Sequence, residues 1–194
     1  MKYLIIIFSI AFLLLGCKSG KPKATPKKTK QPNQNFVSLN KEFNSTEYPV
    51  FKIKFPQVWE NYPSSHTDVL LSLRDPEEIT EAATFYTNLY IGNMQFNPTT
   101  EEELRMIYLN DFSSYFDDLT VLATGTQTVN GNQYVWIEFN YTWQGINIKG
   151  IEYWIENQDN SGESTIISAK TLAVRYNYYK PIFLDMVESF EIEF

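Results

Sequence analysis

The chain has 194 residues, 43% of them hydrophobic and 16% aromatic, with one Cys, one His and a formal net charge of −7. That is the length of one domain with room for a sizeable core. One Cys excludes a disulfide scaffold and a Cys-based zinc site, one His excludes a multi-His metal centre, and the acid excess argues against nucleic-acid binding.

The charge is divided along the chain. No acidic residue precedes Glu42, and seven of the 16 basic residues fall in the first 35 positions. Residues 36–194 therefore hold nine basic groups against 23 acidic ones, a net −14. A basic leader precedes an acidic body.

Lys2 supplies a short positive start, and Tyr3 to Leu15 is an apolar run broken only by Ser9. Such a run suits an export signal and is short for a bilayer span. It ends in Leu14-Leu15-Gly16-Cys17, which resembles the bacterial lipobox. The resemblance implies a signal peptide over residues 1–16 and cleavage after Gly16. Cys17 then carries a diacylglycerol on sulfur and an acyl chain, such as palmitate, on its new amine. Three acyl chains, each contributing about 0.8 kcal/mol per buried CH₂, make the bilayer an effectively permanent partner. Lys18 stands where inner-membrane lipoproteins of enteric bacteria typically carry Asp, which points to the outer membrane. The acidic cluster of surface-exposed lipoproteins in Bacteroidetes-type bacteria is missing, which points to the periplasmic face.

Residues 18–35 are almost wholly Lys, Pro, Thr, Gln, Asn, Ser and Gly. They hold too little apolar surface to order themselves, and Pro22, Pro26 and Pro32 keep them extended. They are expected to form a tether, with the lysines able to meet anionic head groups.

The body, residues 36–194, opens with Phe51, Ile53 and Phe55 alternating with Lys52 and Lys54, a half-buried strand over 49–55 closed by Pro56. Val69 to Leu73 reads as a second strand and Thr84 to Ile91 as a third. Thr100 and Glu103 then match the capping-box spacing, and Glu101 to Glu103 suit the positive end of a helix. Leu104, Ile107, Tyr108, Asp111, Phe112 and Tyr115 recur at helical spacing along one side.

Val121 to Val174 reads as an antiparallel meander. Asn130-Gly131 is a strong hairpin signal. Along Tyr134 to Trp143, Val135, Ile137, Phe139, Tyr141 and Trp143 face one side, and Tyr134, Trp136, Glu138, Asn140 and Thr142 the other. Asn147 to Glu156 carries Ile151, Tyr153 and Ile155. Matching apolar faces predicts a three-residue loop, Gln144-Gly145-Ile146, with Ile137 opposite Tyr153 and Trp136 opposite Trp154. A loop at 157–163 and a strand over 165–174 follow. A second helix spans about 177–189, with Pro181 tolerated only in its first turn, before a short terminal extension. This order predicts an α+β sandwich with helices on an antiparallel sheet.

Phe51-Lys-Ile-Lys-Phe-Pro56 with Trp59, and the ending Tyr179-Lys-Pro-Ile-Phe-Leu-Asp-Met-Val-Glu-Ser-Phe-Glu-Ile192, resemble the opening and closing motifs of the PsbP/DcrB-like family. The resemblance covers residues 36–194. It implies an α/β/α sandwich, a central antiparallel sheet covered by two main helices. It also implies a binding or assembly protein rather than an enzyme: members include a photosystem II extrinsic protein, a bacterial periplasmic lipoprotein and a Ran-binding import factor. It supplies no catalytic motif and no cofactor.

The candidate site residues are few. Cys17 is the expected lipid attachment point. Tyr134, Trp136 and Trp154, with Tyr178 on the last helix, form a candidate binding surface for a sugar ring or for an envelope partner's apolar anchor; the alternative is that a helix covers them. His66 with Ser64, Ser65 and Asp68 is too local for a triad and lacks a nucleophile elbow. Asp117-Asp118 offers too few oxygens for calcium, and the first-turn glutamates read as capping, so no metal is expected. The leading expectation is a membrane-anchored, non-catalytic binding or assembly module of the cell envelope. The alternatives are a glycan- or small-ligand-binding protein with an aromatic surface and, behind it, a hydrolase.

Overall fold

The computed structural model describes residues 37–46, 48–64, 66–76, 87–158 and 162–194. The expected leader and tether, Cys17, Ser65 and the start of the third expected strand lie outside the described residues.

A seven-stranded antiparallel sheet forms the centre. Its strands are β3 (Glu60–Asn61), β4 (Val69–Arg74), β5 (Asn88–Met94), β6 (Asp117–Val129), β7 (Asn132–Trp143), β8 (Ile146–Glu156) and β9 (Ser164–Leu172), in the order β3-β4-β5-β9-β8-β7-β6. A small sheet, β1-β2-β10, joins β1 (Lys41–Asn44), β2 (Val50–Phe55) and β10 (Glu191–Glu193). Helix α1 (Glu101–Asn110) covers one face of the large sheet; α2 (Tyr176–Glu188) and the small sheet share the core on the other. The fold is therefore the expected α+β sandwich, with a small sheet added on the α2 side.

Each element has a local cause. At α1, Thr100 Oγ1 accepts from the Glu103 amide at 3.2 Å while Glu103 Oε2 accepts from the Thr100 and Thr99 amides. These bonds from Thr99 and Thr100 hold the Glu103 carboxyl below its usual range. Leu104, Tyr108 and Phe112 are buried against the sheet. The chain leaves α geometry after Asn110 into a 3₁₀ turn at Phe112–Ser114, so Tyr115 and Asp111 end exposed rather than on the buried stripe. β6 then begins at Asp117, four residues earlier than the meander was expected to start, and Asp118 sits at φ 55°.

Asn130 (φ 49°) and Gly131 (φ 85°) make the expected two-residue turn between β6 and β7. The Asn130 amide also reaches across to α2, donating to the carbonyls of Phe190 at 2.7 Å and Glu188 at 3.3 Å. A hairpin turn thus satisfies carbonyls left open where α2 ends. Ser189 completes that end: its hydroxyl donates to Met186 O and accepts from the Lys54 amide of β2. At the other end of α2, Tyr179 Oη donates to Asp75 at 2.8 Å, tying the helix to the end of β4.

Three expectations are corrected. Pro181 lies in the second turn of α2, because the helix starts at Tyr176 behind a 3₁₀ turn at 173–175. Pro181 and Asn177 both face solvent, where the carbonyl that loses its donor can be hydrated. The third strand runs on to Met94. The β7–β8 hairpin has a two-residue turn, Gln144 (φ 49°) and Gly145 (φ 77°), so Trp143 pairs with Ile146, Ile137 with Glu152, Trp136 with Tyr153 and Val135 with Trp154. The expected register would have set Glu138 directly opposite Glu152, two like charges on one face. Moving the register by one sends each glutamate to a different face.

Replacing Asn130 by Gly keeps the positive φ of the turn but removes both bonds to the end of α2. The expected loss is about 1–2 kcal/mol in urea unfolding at unchanged m-value.

Candidate functional site

Glu152 points to the α1 side. It is 4% exposed, as is fitting for a charge held by three partners: Ser168 Oγ at 2.6 Å, Lys170 Nζ at 3.3 Å, and the Tyr108 hydroxyl of α1. Gly150 makes room beside it, because a side chain there would meet Phe139 and Lys170 within 3.0 Å. The Lys170 ammonium lies 5.2 Å from the Tyr90 ring centre and 5.7 Å from that of Phe139, within cation–π range. Burial, then the Glu152 carboxylate, push the Tyr108 phenol well above its usual value, so it stays a donor. This network bolts α1 to the sheet.

Glu138 points to the α2 side. Its two carboxylate oxygens each meet a lysine at 2.7 Å, Lys149 from β8 and Lys180 from α2. The Tyr176 ring lies under both, 4.4 Å from Lys149 Nζ and 5.7 Å from Lys180 Nζ. Burial opposes ionisation of Glu138, but the hydrogen bonds from Lys149 and Lys180 win and its pKa is lowered. Val174, 92% exposed, and Arg175 lie in the turn entering α2. Three of the nine basic residues of an acidic body, Lys149, Arg175 and Lys180, thus belong to this one corner. It is the candidate functional site: a surface with excess positive charge and one exposed aliphatic side chain, lying over the buried Tyr176 ring.

The expected aromatic surface is not assembled. Tyr134 is fully buried on the α2 side, edge-on to Tyr153 at 6.2 Å. Trp154, 1% exposed, points to the α1 side, away from Trp136. The corrected register separates them. Trp136 stays half-buried on the α2 side, its indole lying over Gly125 of β6, where an added methyl would come within 2.5 Å of the ring. Tyr178 is half-buried, edge-on to Tyr179 at 4.9 Å. Of the four, Trp136 and Tyr178 keep part of their surface.

The other candidates have local roles. Ser64 Oγ accepts from the His66 backbone amide at 3.0 Å, as in a turn. The Asp118 carbonyl accepts from the Thr120 hydroxyl within the β6 bulge. Among the described residues no three His, Cys, Asp or Glu side chains gather as a metal would need.

Solved structures share this architecture. The chain superimposes on CyanoP, the PsbP of the cyanobacterium Synechocystis, with a TM-score of 0.57 over 86% of this chain and 99% of that one, at 16% identity. The fold is PsbP-like. LpqN of Mycobacterium tuberculosis, described as involved in cell envelope biogenesis, matches at TM-score 0.56 and 9% identity over 78% of this chain and 90% of that one. A Bacteroides thetaiotaomicron protein matches at 0.51 and 11% identity, covering 81% of this chain and 50% of its own length. No family model and no curated protein sequence matches the chain.

Sequence reasoning missed Glu138, Lys149, Lys180 and Tyr176 as a group. The usable signal was the scarcity of basic residues in the body, three of which fall between 149 and 180 in addition to the buried Lys170.

Two outcomes test these networks. Lys170→Met leaves the Glu152 carboxylate buried beside an apolar side chain. It should cost about 3–5 kcal/mol in denaturant unfolding, with part recovered in the Lys170→Met/Glu152→Gln double variant. For Glu138, the folded carboxyl titrates below the unfolded one, so the native state binds fewer protons. That stability is present above about pH 4.3 and is lost as pH falls through the folded value. Glu138→Gln should therefore be less stable than wild type at pH 7, with the gap closing in unfolding curves as pH falls below the unfolded value of about 4.3.

Proposed function

We propose that the chain is a lipoprotein anchored through Cys17 in the cell envelope, acting as a non-catalytic binding or assembly module. The observation that carries this reading is the lipobox-like Leu14-Leu15-Gly16-Cys17 joined by a basic, Pro-containing segment to an acidic body. The likeness of that body to CyanoP and to LpqN supports an extracytoplasmic setting. Residues 18–35 would be the tether between the anchor and the body, and Lys18 favours the outer membrane with the body on its periplasmic face. The Glu138–Lys149–Lys180 corner, positive in an acidic body, is the surface assigned to an envelope partner carrying acidic groups. A glycan ligand would have Trp136 and Tyr178 to stack on, a smaller platform than four aromatics on one surface.

Intact-protein mass spectrometry of the membrane-extracted protein tests the anchor. Wild type should lack residues 1–16 and carry three acyl chains on Cys17. Cys17→Ser should keep its leader and carry none. An unacylated wild-type protein that starts at Met1 would overturn the reading.

A further inference from the structure

The two edges of the large sheet differ. At one, β3 is two residues long. At the other, β6 runs for 13 residues with its outer side unpaired among the described strands. Long edges are normally blunted by Lys, Pro, charge or bulges. The first half of β6 has such protection: Asp117 and Asp118, and bulges between Asp117 and Thr120 and between Val121 and Ala123. The second half has none. Residues 119–129, Leu-Thr-Val-Leu-Ala-Thr-Gly-Thr-Gln-Thr-Val, contain no charge and no Pro in a body of net −14. From Ala123 to Val129 the pairing with β7 is unbroken, so the backbone there is regular.

We infer that this regular segment pairs with the same segment of a second copy, antiparallel, about a two-fold axis at Thr126. The sequence is self-complementary in that arrangement. Thr124 lies on the α1 side, where its hydroxyl donates to Glu101 at 3.1 Å. By strand alternation Thr126 and Thr128 share that side. The two-fold sets Thr126 opposite Thr126 and Thr124 opposite Thr128 on both halves, a row of cross-strand threonine pairs. On the other side it sets Gly125 opposite Gln127 and Ala123 opposite Val129. Charge favours the same choice. Antiparallel pairing sends the two Asp117-Asp118 ends to opposite ends of the ladder, whereas parallel pairing would bring four carboxylates together. A second acidic body also meets an uncharged strand segment here, with the Glu101 carboxylate of each copy held by its own Thr124 hydroxyl. An isologous contact of this kind joins two seven-stranded sheets into one continuous sheet across the dimer.

A ladder of this length is small beside standard interfaces, so a dimer with a Kd in the micromolar range is expected. The test is sedimentation velocity on the full chain in detergent micelles, up to about 0.1 mM, a range that detects a micromolar Kd. Wild type should shift from monomer to dimer with concentration. Thr126→Lys and Thr126→Glu place like charges face to face on the axis, and each should be monomeric. An equimolar mixture of the two should dimerise again, because Lys then faces Glu. A monomeric wild type would overturn the inference, and so would dimers that persist in both single variants. Failure of the mixture to associate would overturn the two-fold at Thr126. Circular dichroism identical to wild type in both variants excludes loss of folding as the cause.

Discussion

A sheet covered on both faces must take into the interior any charge its middle strands carry. Here Glu138 of β7 and Glu152 of β8 lie within the sheet, and the Gln144-Gly145 turn decides where both go. A two-residue turn fixes the register that puts Glu138 on the α2 side and Glu152 on the α1 side. Each then finds its own lysine and its own tyrosine: Lys149 and Tyr176 for one, Lys170 and Tyr108 for the other. A longer turn would put two carboxylates side by side on one face and leave one of the lysine sets unpaired in the interior. Buried charges in that state cost several kcal/mol each, a large part of the stability of any domain. The helices follow from this arrangement. Tyr108 joins α1 to Glu152 and Lys180 joins α2 to Glu138, so the covering layers are fixed by the same two carboxylates that the register separates.

This explains which parts could be read from the residues. The capping box at Thr100, the Asn130-Gly131 turn and the alternation of β2 are local, and local chemistry settles them. The β7–β8 register is not local. Alternation identifies a buried face only when the other face is wet, and β8 buries Ile148 and Trp154 on one side as firmly as Ile151, Tyr153 and Ile155 on the other. Matching apolar faces had no way to choose. The charges did choose, since only one register keeps Glu138 away from Glu152. The turn was obscured for a related reason: Gln144 adopts a positive φ that residues of its kind seldom take. The candidate corner was invisible for the same cause, because Glu138, Lys149 and Lys180 come together only after the register and the placement of α2 are both known.

The end of the chain shows a second kind of coupling. β10 pairs with β2, the first regular strand of the opening motif, while Phe190 packs on Phe51 at 5.5 Å. The two sequence motifs that resemble one family at opposite ends of the body are therefore in contact. Asn130, whose first task is to turn the chain between β6 and β7, also bonds the carbonyls at the end of α2. The central hairpin, the last helix and the small sheet are thus joined at one place, and the body closes as a single unit.

That closure bears on how the surfaces are used. Glu138 and Glu152, the carboxylates on the sheet's two inner faces, are engaged in holding layers together, and their geometry is set by the fold. Two features stand out on the outside of the body, the positive corner at the start of α2 and the uncharged half of β6. They lie on different elements and meet where Ala123 of β6 pairs with Glu138 of β7. With the proposed anchor at Cys17, a corner suited to acidic partners and an edge suited to its own copy would let each body hold one partner and two bodies gather at one membrane. The proposed anchor would strengthen that combination, because confinement to a surface raises the effective concentration of the bodies and so favours a contact that is weak in free solution.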